Sequence, residues 1–373
     1  MKNQKTETSW GSTYSGQISK GCQQCHRGEK MVVLVSSVCN SKCFYCPLSQ
    51  ERLASPHSFA NERPIMDIND LTAETILMDA AGASMTGGDP FESHSFSKTL
   101  DYCRTLKNNR SQGFHIHLYT RGKEITRTKL AQIVPYLDEM RFHVKNIDKD
   151  LPSIAKALEF PLDVGIEVPV LPTKTLEYYQ ELILRFEALI PENDQFYFVN
   201  LNELEFSETN YRRLIAQGLK STQYNLAAVE GSMELGQQIV TWASENCRIP
   251  VHFCALATKD SIQLPNRLLR IARNVQLPGD VIIEEGPDKG LLLRGIIQTQ
   301  ENNLPYIRRM LIDSFQIPDE WINLDYKNNR LLTNAALIEE LKNEIKSLFP
   351  SVSLGIIEEY PTHDKLQTMF IPL

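Results

Sequence analysis

The sequence predicts an α/β protein, a (β/α) barrel followed by a smaller α+β domain, on the strength of three observations. Short apolar runs rich in β-branched residues recur between residues 31 and 256. Segments with helical periodicity lie between these runs, which is typical of βαβ units with parallel strands and right-handed crossovers. After about residue 265 the pattern becomes richer in strands, which is typical of a separate domain.

The predicted barrel strands are continuous apolar runs, as expected where a parallel sheet is covered on both faces. They are MVVLV (31–35), GASMTGG (82–88), FHIHLYT (114–120), MRFHV (140–144), VGIEVPVL (164–171), FYFVNL (196–201) and VHFCAL (251–256). The predicted helices between them include LTAETILMDA (71–80), SFSKTLDYCRTLK (95–107), TLEYYQELILRFEAL (175–189) and SMELGQQIVTWASEN (232–246).

The chain divides into three predicted regions. Residues 1–28 form an N-terminal arm that carries a C-x2-C pair, and its first twenty residues are polar enough to be a loose segment. Residues 29–262 form the barrel. Residues 263–373 form the α+β domain, in which DVIIEEG and GLLLRGIIQ are expected to pair as a hairpin and two helices are expected near 303–315 and 336–349.

The composition restricts the cellular compartment and the class of binding partner that we expect. No apolar run reaches the ~18–20 residues of a membrane helix, and the polar start does not resemble a signal peptide, so a cytoplasmic protein is expected. In a reducing compartment we expect the eight cysteines to be metal ligands or buried side chains rather than to form disulfides. The net charge of −7 argues against a general nucleic-acid binder.

Three cysteines, Cys39, Cys43 and Cys46, follow the first predicted strand. Loops at the carboxyl ends of barrel strands build the active site, so this is where chemistry is expected. Three thiolates leave a four-coordinate centre one ligand short, which suits catalysis, and sulfur-only ligation favours an iron–sulfur cluster or zinc. The alternatives are a zinc site with a distant fourth ligand and chance clustering.

The pattern C-x3-C-x-Tyr-C resembles the motif of the radical S-adenosylmethionine (SAM) superfamily, which lies after the first strand of a partial (β/α)6 barrel. The resemblance implies that Cys39, Cys43 and Cys46 ligate three irons of a [4Fe–4S] cluster and that SAM chelates the fourth. It further implies reduction by a flavodoxin- or ferredoxin-type partner, and cleavage of SAM to a 5′-deoxyadenosyl radical that abstracts hydrogen from a substrate. Tyr45 would lie near the adenine.

Three further stretches are similar to SAM-binding segments of that superfamily. MTGGDPF (85–91) resembles the GGEP motif, with Asp89 in place of glutamate; HLYTRG (117–122) resembles a TNG stretch; VGIEVPVLP (164–172) resembles a strand beside the adenine and ribose. The alternative for the glutamate in the last stretch is an ion pair inside the barrel. The implied SAM contacts are Thr86, Gly87, Gly88, Asp89, Thr120, Glu167 and Val170.

A second set of thiols begins with Cys22 and Cys25, whose C-x2-C spacing is a common half-site for zinc or for an auxiliary [4Fe–4S] cluster. Cys254 is the preferred third ligand because it ends a strand, whereas Cys247 lies at the other end of that strand, roughly 23 Å away if the chain is extended. His26 is a candidate fourth ligand. The alternative is that these are buried or spare thiols.

The resemblance covers about residues 30–260 and is strongest to an archaeal uncharacterised group related to pyruvate formate-lyase activating enzyme. It implies hydrogen abstraction from a protein or peptide. A tRNA- or small-molecule-modifying radical SAM enzyme is the alternative, because NRLLRIARN (266–274) is locally basic. A non-catalytic iron–sulfur or zinc scaffold is the alternative from a different class.

Overall fold

The computed structural model describes residues 3–109, 113–301 and 303–373. The chain forms two compact units. The first unit comprises Met1–Ile76 and Ala80–Gln263, and the second comprises Leu77–Asp79 and Leu264–Leu373.

The first unit alternates strands with helices along most of its length. Its strands are β1 (Lys5–Glu7), β2 (Thr13–Ser15), β3 (Lys30–Ser36), β4 (Ser58–Ala60), β5 (Arg63–Ile65), β6 (Gly82–Gly87), β7 (His115–Thr120), β8 (Glu139–Phe142), β9 (Asp163–Val170), β10 (Tyr197–Glu203) and β11 (Val251–Cys254). Its helices are α1 (Lys20–His26), α2 (Gln50–Ala54), α3 (Ile68–Leu77, whose last residue belongs to the second unit), α4 (Ser93–Asn109), α5 (Arg127–Ile133), α6 (Ile147–Ala157), α7 (Leu176–Glu187), α8 (Tyr211–Ile215), α9 (Ser232–Asn246) and α10 (Leu256–Thr258).

One sheet organises the first unit, with the strand order β1-β2-β11-β10-β9-β8-β7-β6-β3-β4-β5. Strands β3 and β6 to β11 are parallel neighbours, and each coincides with one of the predicted apolar runs. The predicted α/β class is confirmed. The parallel part of the sheet has seven strands, one more than the six of the barrel to which the sequence was likened.

The N-terminal segment that the sequence predicts as a loose arm contains structure. Strands β1 and β2 form an antiparallel hairpin, and β2 pairs with the edge of β11, where Tyr14 lies opposite His252. A polar edge hairpin buries little apolar surface, so its sequence carries no strong periodicity. Helix α1 follows this hairpin and carries both cysteines of the C-x2-C pair.

The second unit is an antiparallel sheet with helices, in agreement with the predicted α+β class. Its strands are β12 (Val281–Ile282), β13 (Leu292–Gln298), β14 (Asn323–Asp325), β15 (Arg330–Thr333), β16 (Ser353–Glu359) and β17 (Gln367–Pro372). Its helices are α11 (Leu264–Val275), α12 (Leu304–Phe315), α13 (Ala335–Glu340) and α14 (Lys342–Leu348). Strand β12 pairs with β13 as predicted. Strand β15 lies in a stretch where no strand was predicted. Among the described residues no helix is long and apolar enough to cross a membrane.

A buried ion network ties the strands of the second unit together. The carboxylate of Glu359, which has no exposed surface, accepts hydrogen bonds from Arg294 and Arg330. Each arginine is also paired with an aspartate, Asp280 or Asp325. Removing one member leaves the others buried without a counter-charge, which costs far more than losing a surface pair.

We therefore expect Glu359→Gln to lower the free energy of unfolding of the second unit by about 3–5 kcal/mol. Urea unfolding measures this through the fluorescence of Trp321, in a background where Trp10 and Trp242 are phenylalanine. The matched control is Glu339→Gln on an exposed position of α13, expected to change the value by less than about 0.5 kcal/mol. Equal effects of the two substitutions would show that the network adds no stability.

Candidate active site

The loop after β3 carries Cys39, Cys43 and Cys46, and all three thiols are free and half-buried. The backbone N–H of Ser41 donates to Sγ of Cys39 over 3.3 Å. Burial raises the pKa of the Cys39 thiol, so its proton leaves readily only when a metal takes its place.

Side chains from the surrounding elements hold this cysteine loop through its carbonyl groups. Arg213 donates to the carbonyl oxygen of Cys43 over 3.2 Å, Asn210 to that of Tyr45 over 3.1 Å, and Lys145 to that of Ser41 over 3.1 Å. These bonds fix the backbone and leave the three thiols free to bind a ligand.

The glycine pair of the GGDP stretch packs directly against the start of the cysteine loop. A Cβ atom on Gly88 would lie 1.7 Å from the carbonyl oxygen of Val38, and Gly87 has a φ of +124°. The N–H of Gly88 donates to the carbonyl oxygen of Ser36 over 2.6 Å. Glycine is required here because the backbone of the pair is in contact with the backbone of the cysteine loop. This requirement holds whether or not a cofactor also approaches the glycines.

Asp89 joins this glycine pair to the end of β7. Its buried carboxylate accepts hydrogen bonds from Oγ1 of Thr120 over 2.8 Å, from N–H of Arg121 over 2.9 Å and from N–H of Phe91 over 3.0 Å. Burial raises the pKa of Asp89, although these three donors favour its charged form. Two predicted SAM contacts, Asp89 and Thr120, thus bind each other and align adjacent loops.

Glu167 lies in a row of polar side chains that crosses neighbouring strands. Its carboxylate accepts from Nη1 of Arg141 over 2.6 Å, from Nδ2 of Asn200 over 3.0 Å and from Nδ2 of Asn202 over 2.9 Å. Burial alone would raise the pKa of Glu167, but Arg141 and the two amides outweigh it and hold the pKa below its usual value. The predicted alternative, an ion pair within the barrel, is therefore what the structure contains.

Arg141 connects this row to helix α1. Its buried guanidinium donates to both Glu139 and Glu167, and also to Oγ of Ser19 over 3.0 Å and to Sγ of Cys22 over 3.6 Å. Arg141 therefore holds the row of polar side chains and the helix together.

Val170 is a predicted SAM contact that the structure does not bring to the site. It is fully buried, and its carbonyl oxygen accepts from Oγ of Ser232 over 2.9 Å. Side chains alternate along a strand, so Glu167 and Val170, three residues apart, point to opposite faces of β9. Tyr45 does reach the site, where its hydroxyl group pairs with Nε2 of His143 over 2.8 Å.

Helix α1 brings the second thiol set against the same sheet. Gly21 permits this close approach, because a Cβ atom there would lie 2.5 Å from both Nη2 of Arg141 and Nδ1 of His117. The N–H of Gly21 donates to Glu139 over 3.4 Å. His117 and His115 lie beneath the helix and are buried, and neither lines the cavity.

Both thiol sets line one cavity of about 770 Å³ at the carboxyl ends of the strands. The predicted cluster ligands and the predicted SAM contacts other than Val170 contribute to its walls, as do Cys22, Cys25 and Cys254 from the second set, whereas the candidate ligand His26 does not. The cavity also contains Asn200, His252, Lys259 and Gln263. Cys247 lies outside it, and Cys103 is buried in the core.

The cysteine loop fits an iron–sulfur cluster by the chemistry of its donors. Its three side chains are all thiols, and an N–H group already bonds to one sulfur, as is usual around cluster ligands. Among the described residues no three Cys, His, Asp or Glu side chains already stand in a metal-binding arrangement. Convergence of the three thiols on a metal therefore requires rotation of the side chains.

A known protein is similar to this chain over nearly its whole length. The chain is 32% identical, over 373 aligned residues, to the putative glycyl-radical enzyme activating enzyme of Methanocaldococcus jannaschii, covering 95% of this chain and 93% of that protein. Residues 290–373 match the model of a domain of unknown function, DUF8061.

Two solved structures of the radical SAM methyltransferase TsrM from Kitasatospora setae are also similar. One holds tryptophan and a SAM analogue, at 10% identity with a TM-score of 0.37; the other holds cobalamin and a [4Fe–4S] cluster, at 11% identity with a TM-score of 0.36. Each alignment covers 70% of this chain and 55% of the methyltransferase, so the chain spans little more than half of that protein.

A thiol-lined cavity at the carboxyl edge of a parallel sheet defines the class of protein, an α/β enzyme built to hold a metal cofactor. The similarity to the M. jannaschii protein over nearly its whole length identifies the family. The chain belongs to the radical SAM superfamily, in the group related to pyruvate formate-lyase activating enzyme, and is an enzyme that uses a [4Fe–4S] cluster and SAM.

We expect Gly88→Ala to prevent normal assembly of the cysteine loop, because the added methyl group would collide with the carbonyl oxygen of Val38. The thermal midpoint should fall by several degrees, since forced contacts of this kind cost about 1–3 kcal/mol. Iron and sulfide retained after anaerobic reconstitution should fall as well. Gly286→Ala, at a positive φ with no atom within 4 Å, is the control and should retain iron normally.

Proposed function

We propose that this enzyme cleaves SAM reductively and abstracts a hydrogen atom from a protein substrate. The proposal rests on the cysteine loop and the Gly87–Gly88 pair, which pack against each other and together line one cavity. The cluster and SAM, when bound, supply a 5′-deoxyadenosyl radical. The enzyme is then an oxidoreductase in the cytoplasm, reduced by a flavodoxin- or ferredoxin-type partner.

The resemblance and the contacts of the protein groups support the following roles. Cys39, Cys43 and Cys46 bind the cluster. Thr86 and the two glycines offer backbone groups to SAM beside it, and Tyr45 covers the adenine, with its ring held by His143. Asp89 and Glu167 act mainly as positioning residues, because their carboxylates are already bonded to neighbouring loops and strands.

The name of the M. jannaschii relative favours a glycyl radical protein as the substrate class. The rim of the cavity is compatible with a protein, because Leu53 lines it with 43% of its surface exposed. In the tRNA alternative the basic helix α11 would contact RNA. Two of its cations are already paired, Arg270 with Asp79 and Arg273 with Glu284, which weakens that alternative.

We also propose a second metal centre, zinc or an auxiliary cluster, at Cys22, Cys25 and Cys254. All three thiols line the same cavity as the cysteine loop, from its α1 and β11 side. This centre has no assigned part in the cleavage of SAM.

We expect Cys43→Ala to abolish formation of 5′-deoxyadenosine by the reconstituted, reduced enzyme, because one of the three cluster ligands is lost. Chromatography of the products from SAM measures this. Cys103→Ala, which alters a buried thiol of α4 outside the cavity, should leave the rate within about twofold, provided its fold is intact by circular dichroism. If the unaltered enzyme forms no 5′-deoxyadenosine, the proposed function is wrong.

Isotope transfer tests the substrate class separately. Cells of the source organism are grown with glycine deuterated at its α-carbon, and their lysate is separated into protein, RNA and small-molecule fractions. We expect deuterium in 5′-deoxyadenosine only when the protein fraction is added. Transfer from the RNA or small-molecule fraction would contradict a protein substrate while leaving cleavage of SAM intact.

A further inference from the structure

The side chains of β11 and α1 that face the cavity include a histidine beside the three thiols of the second set. His252 and Cys254 are two residues apart on β11, so they point to the same face of the sheet. His252 is 3% exposed and Cys254 is 8% exposed, and both line the cavity together with Cys22 and Cys25 of α1. Four side chains that carry metal-binding atoms therefore lie on the same wall of the cavity.

Hydrogen bonding defines which nitrogen of His252 is available. Glu167, Asn200 and His252 lie side by side on three neighbouring strands. Because the carboxylate of Glu167 only accepts, Nδ2 of Asn200 must face it, and Oδ1 of Asn200 must then face Nδ1 of His252 at 3.3 Å. The hydrogen of the neutral ring lies on Nδ1, and the lone pair lies on Nε2.

Nε2 of His252 is buried and has no hydrogen-bond partner within the described part of the chain. A buried acceptor left unpaired costs about 1–3 kcal/mol, so such an atom calls for a ligand. Metal-binding histidines usually donate their other N–H to a protein oxygen, which fixes the ring, and Asn200 provides that oxygen.

Two of the sulfur atoms already receive N–H donors of the kind that stabilise thiolate ligands. Sγ of Cys22 accepts from Nδ2 of Asn200 over 3.0 Å and from Nη2 of Arg141 over 3.6 Å. Sγ of Cys254 accepts from Nε2 of Gln263 over 3.4 Å. Asn200 thus contacts a thiol and the histidine at once, as a residue supporting two ligands of one metal would.

We propose that Cys22, Cys25, Cys254 and His252 bind a single zinc ion that fastens helix α1 to the end of β11. Three sulfurs and one imidazole complete a tetrahedral zinc site without an open position. The side chains close on the ion when it binds, as those of the cysteine loop must for their own metal. His252 replaces His26 as the fourth ligand, and the site depends on no step of the SAM chemistry.

The test is elemental analysis of the full-length protein. We expect roughly one zinc per chain in addition to the cluster iron, and the same zinc without iron in the Cys39→Ala/Cys43→Ala/Cys46→Ala variant. In that background, Cys254→Ala and His252→Ala should each lose the zinc. His26→Ala and Cys247→Ala are matched controls that should keep it.

A conservative replacement tests whether zinc is lost through misfolding rather than through removal of a ligand. His252→Cys should retain zinc, because four thiolates also bind it tetrahedrally. Cobalt added to the metal-free protein should give the absorption of a tetrahedral thiolate site, and His252→Ala should remove it. Absence of zinc from the triple variant, iron with sulfide in its place, or loss of zinc in His26→Ala but not His252→Ala would each overturn the proposal.

Discussion

The buried guanidinium of Arg141 is the contact on which the arrangement of the first unit depends. It bonds to Glu139 on its own strand, to Glu167 on the next strand and to Ser19 and Cys22 at the start of α1. A charge this deeply buried persists only if it is paired on several sides. The two carboxylates provide that pairing, and the helix is held against the sheet as a consequence.

The position of α1 in turn decides the shape of the cavity. Because Gly21 has no side chain, the helix can lie against Arg141 and His117, which directs Cys22 and Cys25 toward the strand ends. The cysteine loop closes the cavity from another strand, with Gly88 against Val38. Both sets of thiols therefore line one cavity. Each set depends on a close contact that requires a glycine, Gly21 in α1 and Gly88 beside the cysteine loop.

The sequence predicted the features that local patterns encode. Apolar runs marked all seven parallel strands, and the spacing of Cys39, Cys43 and Cys46 marked a loop that lines the cavity, because strand ends and ligand spacings are local. The paired edge hairpin, the role of Arg141 and the row from Glu167 to His252 depend on residues far apart in sequence, so no single stretch reveals them. The contact predicted for Val170 conflicts with the alternation of side chains along β9, which places Val170 on the face opposite Glu167.

A crystal structure of the anaerobically prepared full-length protein, with anomalous scattering recorded at the iron and zinc absorption edges, tests both metal centres at once. We expect iron at Cys39, Cys43 and Cys46, and a separate zinc peak between Cys22, Cys25, Cys254 and His252. If the cysteine loop holds no iron, it is not the site of a radical-generating cluster.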